Sequence, residues 1–282
     1  MYANLNTGAI QVNASFEEQV QLAVKHGFRG CDVDLHAAEQ LGIQQTKDLF
    51  DSNGLSMGGW GLPVEFRQDE KTFRTDLSRL PRWANLAANL GCTRCMTWVP
   101  SWSDERPFAA QFREMQARFR DCAVVLKDHG CSLGLEFLGP KTLRDGHAHE
   151  FIYTLTGMLE MAEAVGTGNV GLLLDAWHWY ASGGDLDQLG QLKNEQVVYV
   201  HISDAPRDVA LENLIDNKRE LPMETRVIDL PGFLNRLAAI GYDGPVTTEP
   251  FYPALGEMPP DEAIQRVKRG MEEAWRVAGL PW

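Results

Sequence analysis

Basic residues are scarce in this 282-residue chain: 26 Lys and Arg stand against 39 Asp and Glu, a formal charge of −13. Such a surface repels phosphate backbones and anionic lipid, and no local Lys/Arg cluster offsets it, so neither nucleic acid nor a membrane surface is an expected partner. The charged stretches "KDLFDSNG" and "DEKTFRTDLSR" mix both signs and read as solvated helix faces. Long apolar runs are also missing, so no span of a bilayer is expected. The start, "MYANLNTGAI", lacks the basic region and apolar run of a secretory signal, and a cytoplasmic location is the expectation. Cysteine is sparse. Five scattered residues, an odd number, suit reduced thiols rather than a disulfide framework. Cys92 and Cys95 form a C-x-x-C pair, but it precedes a strand-like run instead of opening a helix, and no second pair completes a zinc site. Buried structural thiols are the expectation. Pro/Ser-rich linkers, low-complexity tracts and internal repeats are absent as well, which favours one domain over residues 1–282.

What the chain does have is alternation. Apolar, strand-like runs recur as "ANLNTGAI", "GCDVDLH", "GLSMGGW", "CTRCMTWV", "CSLGLEF", "NVGLLLD", "QVVYVHI" and "GPVTTEPF". Helical patterns lie between them. "SFEEQVQLAVKHG" opens on a capping box, Ser15 with Glu18, and closes on Gly27. "FREMQARFRDCAVVL" places Phe112, Met115, Phe119, Cys122 and Leu126 on one helix face. "DLPGFLNRLAAIG" offers Asp229 as a cap and Gly241 as a stop. Eight such strands alternating with helices predict a single (β/α)8 TIM barrel. The alternative, a doubly wound sheet, would need a glycine fingerprint after its first strand, which is missing.

Barrel enzymes carry their sites at the C-terminal ends of the strands. The fifth run ends near Glu136, the sixth at Asp175 with His178 three residues on, the seventh near His201, and the eighth near Glu249. Taken singly, Asp175 reads as the cap of the next helix and His201 as a core histidine. Taken together, consecutive barrel strands lie about 4.8 Å apart, so three carboxylates and an imidazole crowd one side of the mouth. Carboxylates that close repel one another unless protonated or neutralised by a cation. A divalent ion resolves the conflict. Oxygen donors with one nitrogen and no sulfur suit Mn²⁺ best, with Mg²⁺, Co²⁺ and Zn²⁺ also compatible.

"LGLEFLGP", "VGLLLDAWHWY", "VHISDAPR" and "TTEPF" together resemble the xylose-isomerase-like sugar isomerase/epimerase superfamily, nearest to inosose isomerases and ketose 3-epimerases. The resemblance implies one divalent metal on Glu136, Asp175, His201 and Glu249. It implies too that His178 and Arg207 hold substrate oxygens, and that Glu136 and Glu249 carry out the proton transfer. Two departures stand out. "LPMETRVIDL" is one residue longer than the family's Pro-Gly-x-Gly turn and lacks both glycines, and Thr142 occupies an otherwise acidic position.

The expected reaction is isomerisation or epimerisation of a keto-sugar or keto-inositol through an enediolate; residues alone do not decide between them. Loss of water by the same route, a metal-dependent lyase, is the alternative. A nuclease resembling endonuclease IV is disfavoured, because "SDAPRDVALENL" lacks its Asp-x-His and the chain is acidic. A metal-binding barrel without catalysis is the remaining reading. Trp60, Trp98, Trp102, Trp177 and Trp179, five of eight tryptophans, fall near strand ends, and aromatic faces pack well on polyol C–H faces; Trp60 and Trp98 are the expected substrate contacts. "GGWGLPVEF" reads as a lid on a glycine hinge. No glycine-rich phosphate cradle follows the last strands, so the substrate is expected to be unphosphorylated, with Lys141, Arg144 and Arg207 the few cations against this. Monomer and homo-oligomer both stay open.

Overall fold

Each apolar run becomes a parallel strand, cut short by the glycine or polar residue that bounds it. The computed structural model describes residues 1–282. Its strands are β1 (Tyr2–Leu5), β2 (Gly30–Cys31), β3 in two pieces (Ser56–Met57 and Trp60–Gly61), β4 (Arg94–Val99), β5 (Ser132–Phe137), β6 (Val170–Asp175), β7 (Val197–Ile202) and β8 (Pro245–Thr248). They pair in ring order, β8 lying beside β1. Closure runs through β3: its first piece pairs with β2 (Cys31↔Met57) and its second with β4 (Trp60↔Cys95). The fold is the expected (β/α)8 barrel, and the doubly wound sheet is excluded.

The glycines that split β3, read in the sequence as the hinge of a lid, sit where no side chain fits. A Cβ on Gly58 would strike Asn4 and Asp32, and one on Gly59 would come within 3.0 Å of Tyr199 and of the Arg94 carbonyl. Close approach across the barrel interior, rather than freedom to move, demands glycine here.

Helices wrap the sheet as patterned. Phe16–Lys25 carries both capping-box bonds, Glu18 N to Ser15 Oγ at 3.2 Å and Ser15 N to Glu18 Oε2 at 2.8 Å. Phe108–Asp128 buries Met115, Phe119, Cys122 and Leu126 against the sheet, each contributing about 1.5–3 kcal/mol for a large side chain. All five cysteines are free and buried, as expected. No helix is long and apolar enough to cross a membrane.

The loop after β7 departs from what its sequence suggests. Met223 and Arg226, neither of them glycine, adopt φ of 65° and 59°. Asp204, fully buried, holds this turn: it accepts backbone N–H bonds from Thr225, Arg226, Val227 and Ile228 at 2.6–3.1 Å. Fixing four donors on one carboxylate offsets the cost of left-handed backbone without glycine.

Candidate metal centre and its surroundings

Glu136 lies in β5, Asp175 ends β6, His201 lies in β7, and Glu249 follows β8. One ligand atom from each falls within 4.8 Å of all the others. Asp175 caps the next helix, as read, and stands in the cluster as well. Its Oδ1 caps the helix Ala176–Ala181 by accepting from Trp177 N at 2.7 Å, which leaves Oδ2 facing the cluster.

The cluster is under electrostatic stress without a cation. Glu136 Oε1 and His201 Nδ1 are buried and hydrogen-bonded to nothing, although they lie 3.4 Å apart; Glu249 Oε2 is 3.5 Å from the same nitrogen. Burial, and then the Glu249 charge, push the Glu136 carboxyl up to about 8. Burial alone would raise Glu249 as well, but His201 and Arg219 hold it below the usual carboxylate range. Burial opposes charge on His201, yet its two glutamate neighbours raise it well above an ordinary imidazole. Of the four candidate ligands, Glu136 Oε1 and His201 Nδ1 are orphaned, and a divalent ion among three carboxylates and one imidazole would satisfy both. The residues fit the group.

Arg219 is the functional residue that sequence reasoning missed. Its side chain is 1% exposed. Nη1 donates to Asp175 Oδ2 at 2.7 Å and to the Glu249 carbonyl at 3.1 Å, and Nη2 donates to Asp216 Oδ1 at 2.8 Å and lies 3.1 Å from His178 Nε2. Burial works against the Arg219 charge, but Asp175, Asp216 and Glu249 overcome it. No local pattern announces this residue. Only the path of a long irregular loop brings it beneath the site. A buried pair broken on one side costs about 3–5 kcal/mol, so Arg219→Met is expected to lower the melting temperature of ion-free protein by several degrees. Added divalent ion should then raise it more in the variant than in wild type. An equal rise in both would show that Arg219 and the ion do not share these carboxylates.

The expected substrate contacts divide. Trp60 and Trp98 line a cavity of about 650 Å³ together with Glu136, His201 and Glu249. Trp60 is pinned by Nε1 to the Cys92 carbonyl at 3.0 Å, and Trp98, 42% exposed, carries the Arg67 guanidinium on its face. Trp177 and Trp179 are core residues, and Trp102 stacks on His147 beside a two-residue antiparallel pairing of Trp102–Ser103 with His149–Glu150. His178 is not among the cavity-lining residues. It is buried behind Asp175, its Nδ1 accepting from Gly139 N at 3.2 Å, and burial with the Arg219 charge lowers it to about 3. Arg207 is exposed and donates to the Thr225 carbonyl at 3.1 Å, because the chain turns outward after the Asp204 anchor. The structure therefore does not bring Arg207 to the cluster. Lys141 pairs with Asp145, Arg144 bonds the carbonyls of Gly139 and Pro140, and no Lys or Arg lines the cavity. Thr142 donates to the Leu214 carbonyl at 2.6 Å and holds two loops together.

Residues 20–274 match the family model for the xylose isomerase-like TIM barrel. An inosose isomerase of Halalkalibacterium halodurans is 31% identical over 228 residues, 80% of this chain and 77% of that one. Another, of Bacillus velezensis, is 24% identical over 267 residues, 92% of each. Among solved structures, a xylose isomerase domain protein from Alicyclobacillus acidocaldarius has a TM-score of 0.84 at 34% identity, covering 95% of this chain and 96% of its own. The IOLI protein, solved with a bound zinc atom, has a TM-score of 0.81 at 21% identity, over 99% and 98% of the two chains. The chain belongs to the xylose isomerase-like TIM barrel family.

Proposed function

We propose that the protein is a divalent-metal-dependent isomerase or epimerase of a keto-sugar or keto-inositol, moving a proton at a carbon beside a carbonyl. The observation that carries this is the cluster of Glu136, Asp175, His201 and Glu249, with donor atoms within 4.8 Å of one another, at a cavity that no Lys or Arg lines. The inosose isomerase relatives agree in substrate chemistry. A neutral polyol suits such walls and a phosphorylated one does not.

A divalent ion on these four residues, Mn²⁺ by donor type, would supply Lewis-acid stabilisation of the charge that develops as the proton leaves. The rest falls to the chain. Glu136 and Glu249 stand on non-adjacent strands and both border the cavity, so one takes the proton and the other, as its acid, returns one. Return to the same carbon epimerises, and return to the neighbouring carbon isomerises. Trp60 and Trp98 offer the C–H faces of the ring an apolar wall. Arg219 and His178 keep Asp175 in place from behind.

The test is interconversion of a keto-inositol by Mn²⁺-loaded protein, followed by NMR. A second isomer should appear, vanish on chelation and return with added Mn²⁺. A loaded protein that leaves keto-inositols and keto-hexoses unchanged would overturn the reading.

A further inference from the structure

A second polar constellation borders the same cavity and takes no part in the chemistry above. Asp32, just past β2, is 6% exposed and lines the cavity that Glu136, His201 and Glu249 also line. Its carboxylate is fixed on both oxygens. Asn4 Nδ2 donates to Oδ1 at 2.9 Å and Asn6 Nδ2 to Oδ2 at 2.8 Å, while the Tyr199 hydroxyl lies 2.8 and 2.9 Å from the two. Its backbone is fixed as well, because Gln19 Nε2 donates to the Asp32 carbonyl at 2.8 Å.

Strand alternation assembles this group. Asn4 in β1 and Asn6 one residue past its end both reach Asp32, and Tyr199 and His201 lie two apart on β7. Space is reserved for it at Gly58, where a Cβ would meet Asp32 Oδ1 at 2.5 Å.

The hydrogen count leaves a vacancy. Tyr199 has a single hydroxyl proton, so Asn4, Asn6 and Tyr199 bring three hydrogens to a carboxylate with about four acceptor sites. Structural needs alone do not explain why a carboxylate with an open acceptor borders the cavity, since an amide or an apolar residue would close the wall at lower cost.

We propose that Asp32 is a specificity-determining residue that accepts a hydrogen bond from a substrate hydroxyl remote from the carbon undergoing proton transfer, so that the site selects a polyol carrying a free hydroxyl there. The proposal rests on the reading of the cavity as a keto-sugar or keto-inositol site. An acceptor built for a hydroxyl discriminates strongly against an analogue lacking it, because the buried charge is then left unpaired.

The experiment is calorimetric binding of myo-inositol, and of its monodeoxy analogues, to the Mn²⁺-loaded protein. Wild type should bind one monodeoxy analogue about 10- to 100-fold more weakly than myo-inositol. Asp32→Asn, with wild-type metal content and melting temperature, should bind the two alike. If that variant does not fold, Tyr199→Phe, which withdraws one donor from the carboxylate and leaves it more dependent on the substrate hydroxyl, should widen the same difference. Wild-type discrimination in the folded variant, or no binding of myo-inositol by wild type, would overturn the role of Asp32. Because an inert polyol is measured, the two readings separate. A wild type that binds in this pattern yet converts no keto-inositol refutes the proposed reaction and not the specificity residue.

Discussion

Replacing either Glu136 or Glu249 by Gln is expected to cut turnover of the keto-substrate by about 10³-fold or more. Glutamine keeps the size and most of the contacts of glutamate, so the loss reports chemistry rather than packing. Each glutamate contributes twice, as an oxygen donor in the cluster and as a proton carrier at the cavity wall. Metal content separates the two contributions. A variant that retains its ion and still loses turnover has lost the proton carrier. If such a variant exchanges substrate hydrogen with solvent without forming product, the glutamate that remains is the one that removes the proton. Turnover within tenfold of wild type would remove that glutamate from the reaction.

The second large effect concerns the ion. Wild-type protein should hold close to one divalent ion per chain, and His201→Ala or Asp175→Asn should weaken binding by at least about 100-fold. Binding to the native state alone also stabilises it, so chelation should lower the melting temperature of wild type and barely move that of His201→Ala. The pH dependence has a definite sign. Glu136, raised to about 8 by burial and the Glu249 charge, holds a proton at neutral pH in ion-free protein. Ligation requires the carboxylate and a neutral imidazole, and His201 is also raised by its glutamate neighbours, so the ion displaces protons from both. Affinity should therefore rise by at least about tenfold per pH unit between pH 6 and about 8. A flat profile across that range, by fluorescence titration with Mn²⁺, would show that Glu136 is not a ligand.

Much of this was legible in the sequence where the signal is local. The strand runs end at their observed positions from β4 to β7 and within three residues at β8, because each is a dense apolar stretch closed by a polar tip. Their order around the barrel then places Glu136, Asp175, His201 and Glu249 together without further information. Short β2 and split β3 were less legible. Asp32 and the pair Gly58 and Gly59 obey contacts across the barrel interior, which no periodicity encodes. Arg219 and Arg207 show the limit most clearly. Arg207 sits at the spacing that resemblance requires, but it is exposed and bonds the Thr225 carbonyl of the turn that Asp204 holds. Arg219 sits in an unpatterned loop, yet it reaches Asp175 at 2.7 Å. Loop paths are set by long-range anchors, and an anchor such as Asp204 looks in sequence like any other aspartate.

The central claim is proton transfer beside a carbonyl with the substrate's atoms otherwise conserved. Incubation of the Mn²⁺-loaded protein with a keto-inositol in D₂O, read by mass spectrometry and NMR, tests it most directly. The account predicts an isomeric product carrying one deuterium at the carbon that has changed configuration or been reduced, and no other change in mass. A product lighter by one water, with the ultraviolet absorbance of an enone, would contradict it and make the protein a lyase.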